Sequence, residues 1–77
     1  MLGALILAER RKRGRSQAEL GRRAGVAAAR VWELEGGRRL RVSRPTVARL
    51  AAALELPVAR LEAAAGRQLL RARHPPP

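Results

Sequence analysis

An all-α fold, a compact bundle of five short helices, is what this sequence predicts, on three observations. Apolar residues recur three and four apart, as Leu2 and Ile6, Leu20 and Ala24, Val31 and Leu34, and Val47, Leu50, Ala51 and Leu54, so each short segment has one helical face to bury. Residues that start and stop helices punctuate those segments: Gly14, Ser16, Gly25, Gly36, Ser43 with Pro45, and Pro57. The chain of 77 residues makes one domain at most, near the size where a single core is only marginally able to hold a fold, so dimerisation would assist it. Trp32 is the one aromatic residue, which leaves Leu, Val, Ile and Ala to build the core. Cysteine is absent. That removes disulfides and thiolate metal sites and fits a cytoplasmic protein.

The first helix starts in the apolar run Met1 to Ala8. A signal peptide carries its positive charges before such a run, and here they follow it; the run is also too short to span a bilayer. It reads instead as a helix with Leu2 and Ile6 turned inward and Leu5 as a further candidate, followed by Glu9 to Arg13 and a stop at Gly14.

Ser16 then opens a second helix, because its hydroxyl can accept from an unpaired backbone N–H, and Glu19 stands at the capping-box spacing. Gly25 ends this helix: just past a helix end the chain favours a left-handed residue, which costs glycine almost nothing. Gly21 inside the helix calls for a close approach, and the third helix, about Ala27 to Glu35, would cross near it. Two helices crossing after a tight glycine-bearing turn form a helix-turn-helix, whose second helix can lie in the major groove of DNA.

The segment Gln17 to Gly36 resembles the helix-turn-helix of the phage-repressor and Cro-like (λ-repressor-type) family. Leu2-Gly3, Ile6, Arg10, Gly14, Ser16 to Leu20, Gly25-Val26, Leu34-Glu35 and Gly37 fall in that family's register. Leu50-Ala51 and Leu54 resemble its fourth helix and Leu56 to Leu61 its fifth, so the likeness covers roughly residues 2 to 62. It implies a compact five-helix DNA-binding domain over residues 1–66, with a basic, proline-ending tail over 67–77. It also implies a partly buried ion pair between Arg10 and Glu35, a contact from Gln17 to the DNA backbone, and a dimer formed through the last helix. Such two-fold dimers read half-sites about 34 Å apart. Leu5 and Leu7 stand where the family usually carries polar or basic residues; either they are an exposed pair suited to self-association or one of them packs in a slightly rotated helix.

If Val31 and Leu34 face the core, Ala28, Ala29, Trp32 and Glu33 form the groove-facing set. Alanine can touch a thymine methyl and glutamate can accept from cytosine N4, but these four positions lack the arginine, asparagine or glutamine that gives bidentate readout. Arg30 is the strong donor of this helix, toward guanine or a phosphate. Base contact should therefore be modest, with shape or dimer spacing carrying more of the specificity. Trp32 packs along the sugar-phosphate wall, folds back as the missing large core residue, or anchors a protein partner, with core or backbone packing placed ahead of the partner role.

The formal charge is +11, and 16 of the 17 basic residues are arginine. Residues 1–39 hold ten basic and four acidic groups and residues 40–77 hold seven and two, so the excess is +6 and then +5, spread through the chain. Such a field favours nucleic acid first and an anionic membrane or acidic partner second. A membrane-surface helix would need an unbroken apolar face, and the glycines at 14, 25, 36 and 37 interrupt one. The stretch Gly36 to Arg44 reads as a flexible, basic loop: Gly37 lets backbone N–H groups approach a phosphate, and Arg38, Arg39, Arg41 and Arg44 supply charge beside it.

Ser43 caps the fourth helix, with Pro45 in its first turn. The fifth begins near Pro57, contributes Val58 and Leu61 to the core, and can extend through Ala63 to Leu70, leaving Leu69 and Leu70 at an interface. Arg71 to Pro77 should be disordered, with His74 in it and no metal role. Catalysis has no support: Asp, Cys and Tyr are absent, both serines serve as caps, and no carboxylate pair or nucleophile with a base is visible, so neither catalytic residues nor cofactors are expected. The expected function is a homodimeric, sequence-specific binder of double-stranded DNA, a repressor or autoregulator of prokaryotic or phage type. The alternative is a partner-binding module, such as an antitoxin holding a toxin through Trp32, Leu5 and Leu7.

Overall fold

The computed structural model describes residues 1–37 and 41–70. In chain order it has α1 (Leu2–Lys12), α2 (Gln17–Ala24), α3 (Ala28–Glu35), α4 (Arg44–Leu54) and α5 (Val58–Ala65), then a short 3₁₀ turn over Gly66–Gln68. This is the five-helix, all-α architecture that the apolar spacing predicts.

The helices meet around one core, because each presents its apolar stripe to the others. Leu2 and Ile6 of α1, Leu20 and Ala24 of α2, Val31 and Leu34 of α3, Val47, Leu50, Ala51 and Leu54 of α4, and Leu61 and Ala65 of α5 are all buried. The nine largest fully buried side chains are all Leu, Ile or Val, so the core is aliphatic. Trp32 does not join it: the ring stands 49% exposed, which corrects the core-packing expectation. Val31 and Leu34 form the buried stripe of α3, and residue 32 falls about 100° further round the helix from residue 31, on the outer side.

Local chemistry sets the boundaries. Ser16 Oγ accepts from the Glu19 N–H at 3.0 Å and Glu19 Oε1 accepts from the Ser16 N–H at 3.3 Å, a complete capping box at the start of α2. Gly25 closes α2 in the left-handed conformation, φ 70° and ψ 34°, and the chain turns there into α3. Ser43 caps α4 by accepting from the Thr46 N–H at 3.3 Å, with Pro45 in the first turn. Gly21 is buried where α3 begins; a Cβ added there would collide with the Val26 carbonyl oxygen, which is the close approach expected of it.

Gly3 does the same work at the other end of the motif, and the sequence assigned it no reason. A Cβ on Gly3 would drive into the Leu34 and Glu35 carbonyls, so the first turn of α1 lies directly on the last turn of α3. Replacing glycine by alanine in a helix ordinarily stabilises by about 0.5–1 kcal/mol. Here Gly3→Ala is expected to reverse that sign and cost about 1–3 kcal/mol, because the obstacle is backbone and cannot rotate away. Urea denaturation followed by helical circular dichroism checks it.

Three other expectations are corrected. Helix α5 does not continue to Leu70: it ends at Ala65, Gly66 takes φ 52°, and the chain turns back. Val42 then pairs in parallel with Leu69, its N–H donating to the Gln68 carbonyl and its carbonyl accepting from the Leu70 N–H, both at 2.8 Å. Leu69 packs on the core as a result, while Leu70 is exposed. Val42 is consequently buried and anchors the chain just before α4, where the sequence predicts a flexible loop. Val58 is exposed; α5 buries Leu61 and Ala65 instead, four apart on its inner face. Arg38, Arg39 and Leu40, and the tail Arg71 to Pro77 with His74, lie outside the described residues.

Leu5 and Leu7 are both half-buried. Leu5 packs against the core, and Leu7 lines a groove between the first turn of α1, the end of α3 and the end of α5.

Candidate nucleic-acid interface

The orientation of α3 is fixed by charge as well as by packing. Arg10 on α1 donates through Nε to Glu35 Oε2 at 2.6 Å and through Nη2 to Glu35 Oε1 at 2.9 Å, the forked pairing of a guanidinium on a carboxylate. Both side chains are largely buried, 12% and 6% exposed, and the pair ties α1 to the last residue of α3. A third donor is used too: Arg10 Nη1 donates to the Arg15 carbonyl at 2.9 Å. Burial pushes the Glu35 carboxyl up, but hydrogen bonds from Arg10 and Gln17 and the charges of Arg10 and Arg11 outweigh it, so the group titrates below its ordinary value. The same Glu35 hydrogen bond raises Arg10 further above its already high value, against the lowering effect of burial.

Gln17 joins this network. Its Nε2 donates to Glu35 Oε1 at 3.0 Å, so the first residue of α2 is tied to the end of α3, and the side chain is half-buried. The second Nε2 hydrogen remains as a donor for an outside contact.

On the outer side of α3 the expected set is brought together: Ala28, Ala29 and Trp32 are exposed and Glu33 is half-exposed. Arg30 is half-buried at the flank of this face. The helix opens at Ala27 without a side-chain cap and carries no acidic residue in its first turn. Its first turn therefore has no carboxylate of its own competing for the unpaired N–H groups. Beyond the helix, Gly37 takes φ 72° and is exposed, as are Arg41 and Arg44. Arg44 stands 3.8 Å from Glu62 with both side chains partly in water, a loose pair that a phosphate can replace.

A second cluster escaped the sequence reading. Glu9 is 4% exposed, and its carboxylate is met by Arg13 at 2.7 Å, Lys12 at 3.3 Å and Arg60 of α5 at 3.5 Å. The Arg13 hydrogen bond, followed against burial by Lys12 and Arg60, holds its pKa below the ordinary value. Spacing carried the signal: Glu9 lies three past Ile6 on the buried stripe of α1, with Lys12 and Arg13 three and four further on. Together with Arg10 and with Arg15, which donates to the Ala53 carbonyl, these contacts commit several of the basic groups to partners within the fold.

Two short helices crossing through a left-handed glycine, with an outward α3 and basic groups beside it, define a helix-turn-helix. A family model described as a helix-turn-helix domain matches residues 1–64, and the chain belongs to that family. No curated protein and no solved structure matches it. Family membership supports DNA binding and a role in transcription regulation. Among the described residues no helix is long and apolar enough to cross a membrane.

Proposed function

We propose that the protein is a sequence-specific transcriptional regulator of the phage-repressor and Cro-like type, a homodimeric repressor or autoregulator in the cytoplasm that sets α3 in the major groove of double-stranded DNA. The observation that carries this reading is the exposed outer side of α3, held rigidly by Arg10, Glu35 and Gln17, in a chain of formal charge +11. Ala28, Ala29, Trp32 and Glu33 face the base edges. Gln17, Arg30, Gly37, Arg38, Arg39, Arg41 and Arg44 contact the sugar-phosphate backbone. The dimer forms through α5, a reading supported by the exposed Val58, Ala59 and Ala63 on its outer side. With no effector-binding domain required, regulation follows from occupancy and dimer concentration.

A second reading is favoured by one observation. Trp32 exposes half of its surface beside two exposed alanines, a combination that also suits a protein partner, as in an antitoxin that holds a toxin on this fold. Selection from a randomised duplex pool at near-physiological salt separates the two. Retention of a palindrome with half-sites about one helical turn apart is expected for the dimeric regulator. Retention without any preferred sequence favours the partner-binding module.

A further inference from the structure

The outer side of α3 is chemically one-sided. Ala28 and Ala29 offer only methyl groups, Trp32 an aromatic wall with a single N–H, and Glu33 a carboxylate that accepts and cannot donate. No amide or guanidinium occupies these positions, and Arg30, the helix's one cation, is half-buried at the flank, about 100° round the helix from Ala29. Guanine presents two acceptors, N7 and O6, to the major groove; the Trp32 N–H is the one side-chain donor among these four positions and cannot satisfy both, while Glu33 repels them. Thymine presents its C5 methyl, which fits against alanine, and cytosine presents the N4 donor that a carboxylate accepts.

Resting on the proposal that α3 enters the major groove, we infer that this helix reads pyrimidines: thymines through methyl contact with Ala28, Ala29 and the Trp32 ring, and cytosine through Glu33, with guanine excluded from the strand it faces. Specificity on this surface comes from apolar contact and rejection and not from forked hydrogen bonds. The selected half-site therefore carries thymine at the positions beneath the two alanines.

The experiment takes the best-retained duplex from the randomised pool and remakes it with uracil in place of thymine, one position at a time. Uracil keeps every hydrogen-bonding group and removes only the methyl. Beneath α3 each replacement should weaken binding about fourfold, the effect of exposing one methyl-sized group, while replacements outside the bound site change nothing. In parallel, the Ala29→Gln variant, whose fold is checked by circular dichroism because the position is exposed, should move the selected base at one position from thymine to adenine. Retained sequences centred on guanine, or uracil replacements that are neutral throughout, overturn the inference while leaving DNA binding intact, as does an Ala29→Gln variant that selects an unchanged sequence. Failure to retain any duplex even at low salt overturns the proposed function together with the inference, and is distinguished by that total loss.

Discussion

Replacing Arg10 with methionine is expected to remove about 3–5 kcal/mol of unfolding free energy, whereas replacing Arg10 and Glu35 together by methionine costs far less. The single change leaves a carboxylate 6% exposed with only Gln17 donating to it, and also takes the donor from the Arg15 carbonyl. The double change removes the buried charge along with its partner. What the pair contributes is thus less than what its disruption costs, and a double-variant cycle by urea denaturation reads the difference. Acid separates the cases further. Because the folded-state pKa of Glu35 lies below the ordinary value of 4.5, its stabilising contribution is complete above that pH and is lost as pH falls through the folded value. Glu9 behaves in the same direction. Wild-type thermal stability should therefore be level from neutral pH down to about 5 and decline below it. In Arg10→Met the burial that raises the Glu35 carboxyl acts without the guanidinium that lowers it. The gap between the two proteins should narrow as the solution is acidified, since a protonated Glu35 needs no cation.

The parts of this fold that were legible in the sequence are those where one residue's chemistry decides a local conformation. Ser16 and Glu19, Gly25, and Ser43 with Pro45 each act within a few residues of themselves, and each does in the structure what its spacing implies. The inward stripes were legible for the same reason. Long-range pairings were not. Arg10 and Glu35, 25 positions apart, were found only through a resemblance, because Arg11 and Arg13 offer the same chemistry nearby. The return of the chain at Gly66 to pair Leu69 with Val42 joins two segments that carry no strand pattern, and a short parallel pairing between backbones leaves no side-chain period to read. Helix α4 stops at Glu55 in the left-handed conformation without a glycine to announce it. As for the candidate interface, helical periodicity placed Ala28, Ala29 and Trp32 outward, but it could not decide whether a tryptophan would fold inward, since that depends on how much space the other four helices leave.

Affinity for duplex DNA is expected to fall about a thousandfold between about 50 and 200 mM salt for the proposed dimer. The formal charge of +11 would suggest a much steeper dependence, but it overstates what is available. Arg10, Arg13 and Arg15 are half-buried and committed to Glu35, Glu9 and backbone carbonyls, and they release no counterions on binding. Arg30 at the flank of α3 and the exposed Arg41 and Arg44, each meeting one phosphate, give on the order of six phosphate contacts per dimer and a slope of log affinity against log salt near −5. Arg38 and Arg39 fall in the same basic stretch. If both also engage phosphates the contacts rise to roughly ten and the slope approaches −9. Fluorescence anisotropy with a selected duplex across a salt series measures it. Arg41→Ala and Arg44→Ala should each reduce the slope's magnitude by about two in the dimer and weaken binding uniformly across sequences, because a phosphate contact carries no base information. A monomer on one half-site would show about half the slope, and a curve indifferent to salt would remove phosphate contact from the mechanism altogether.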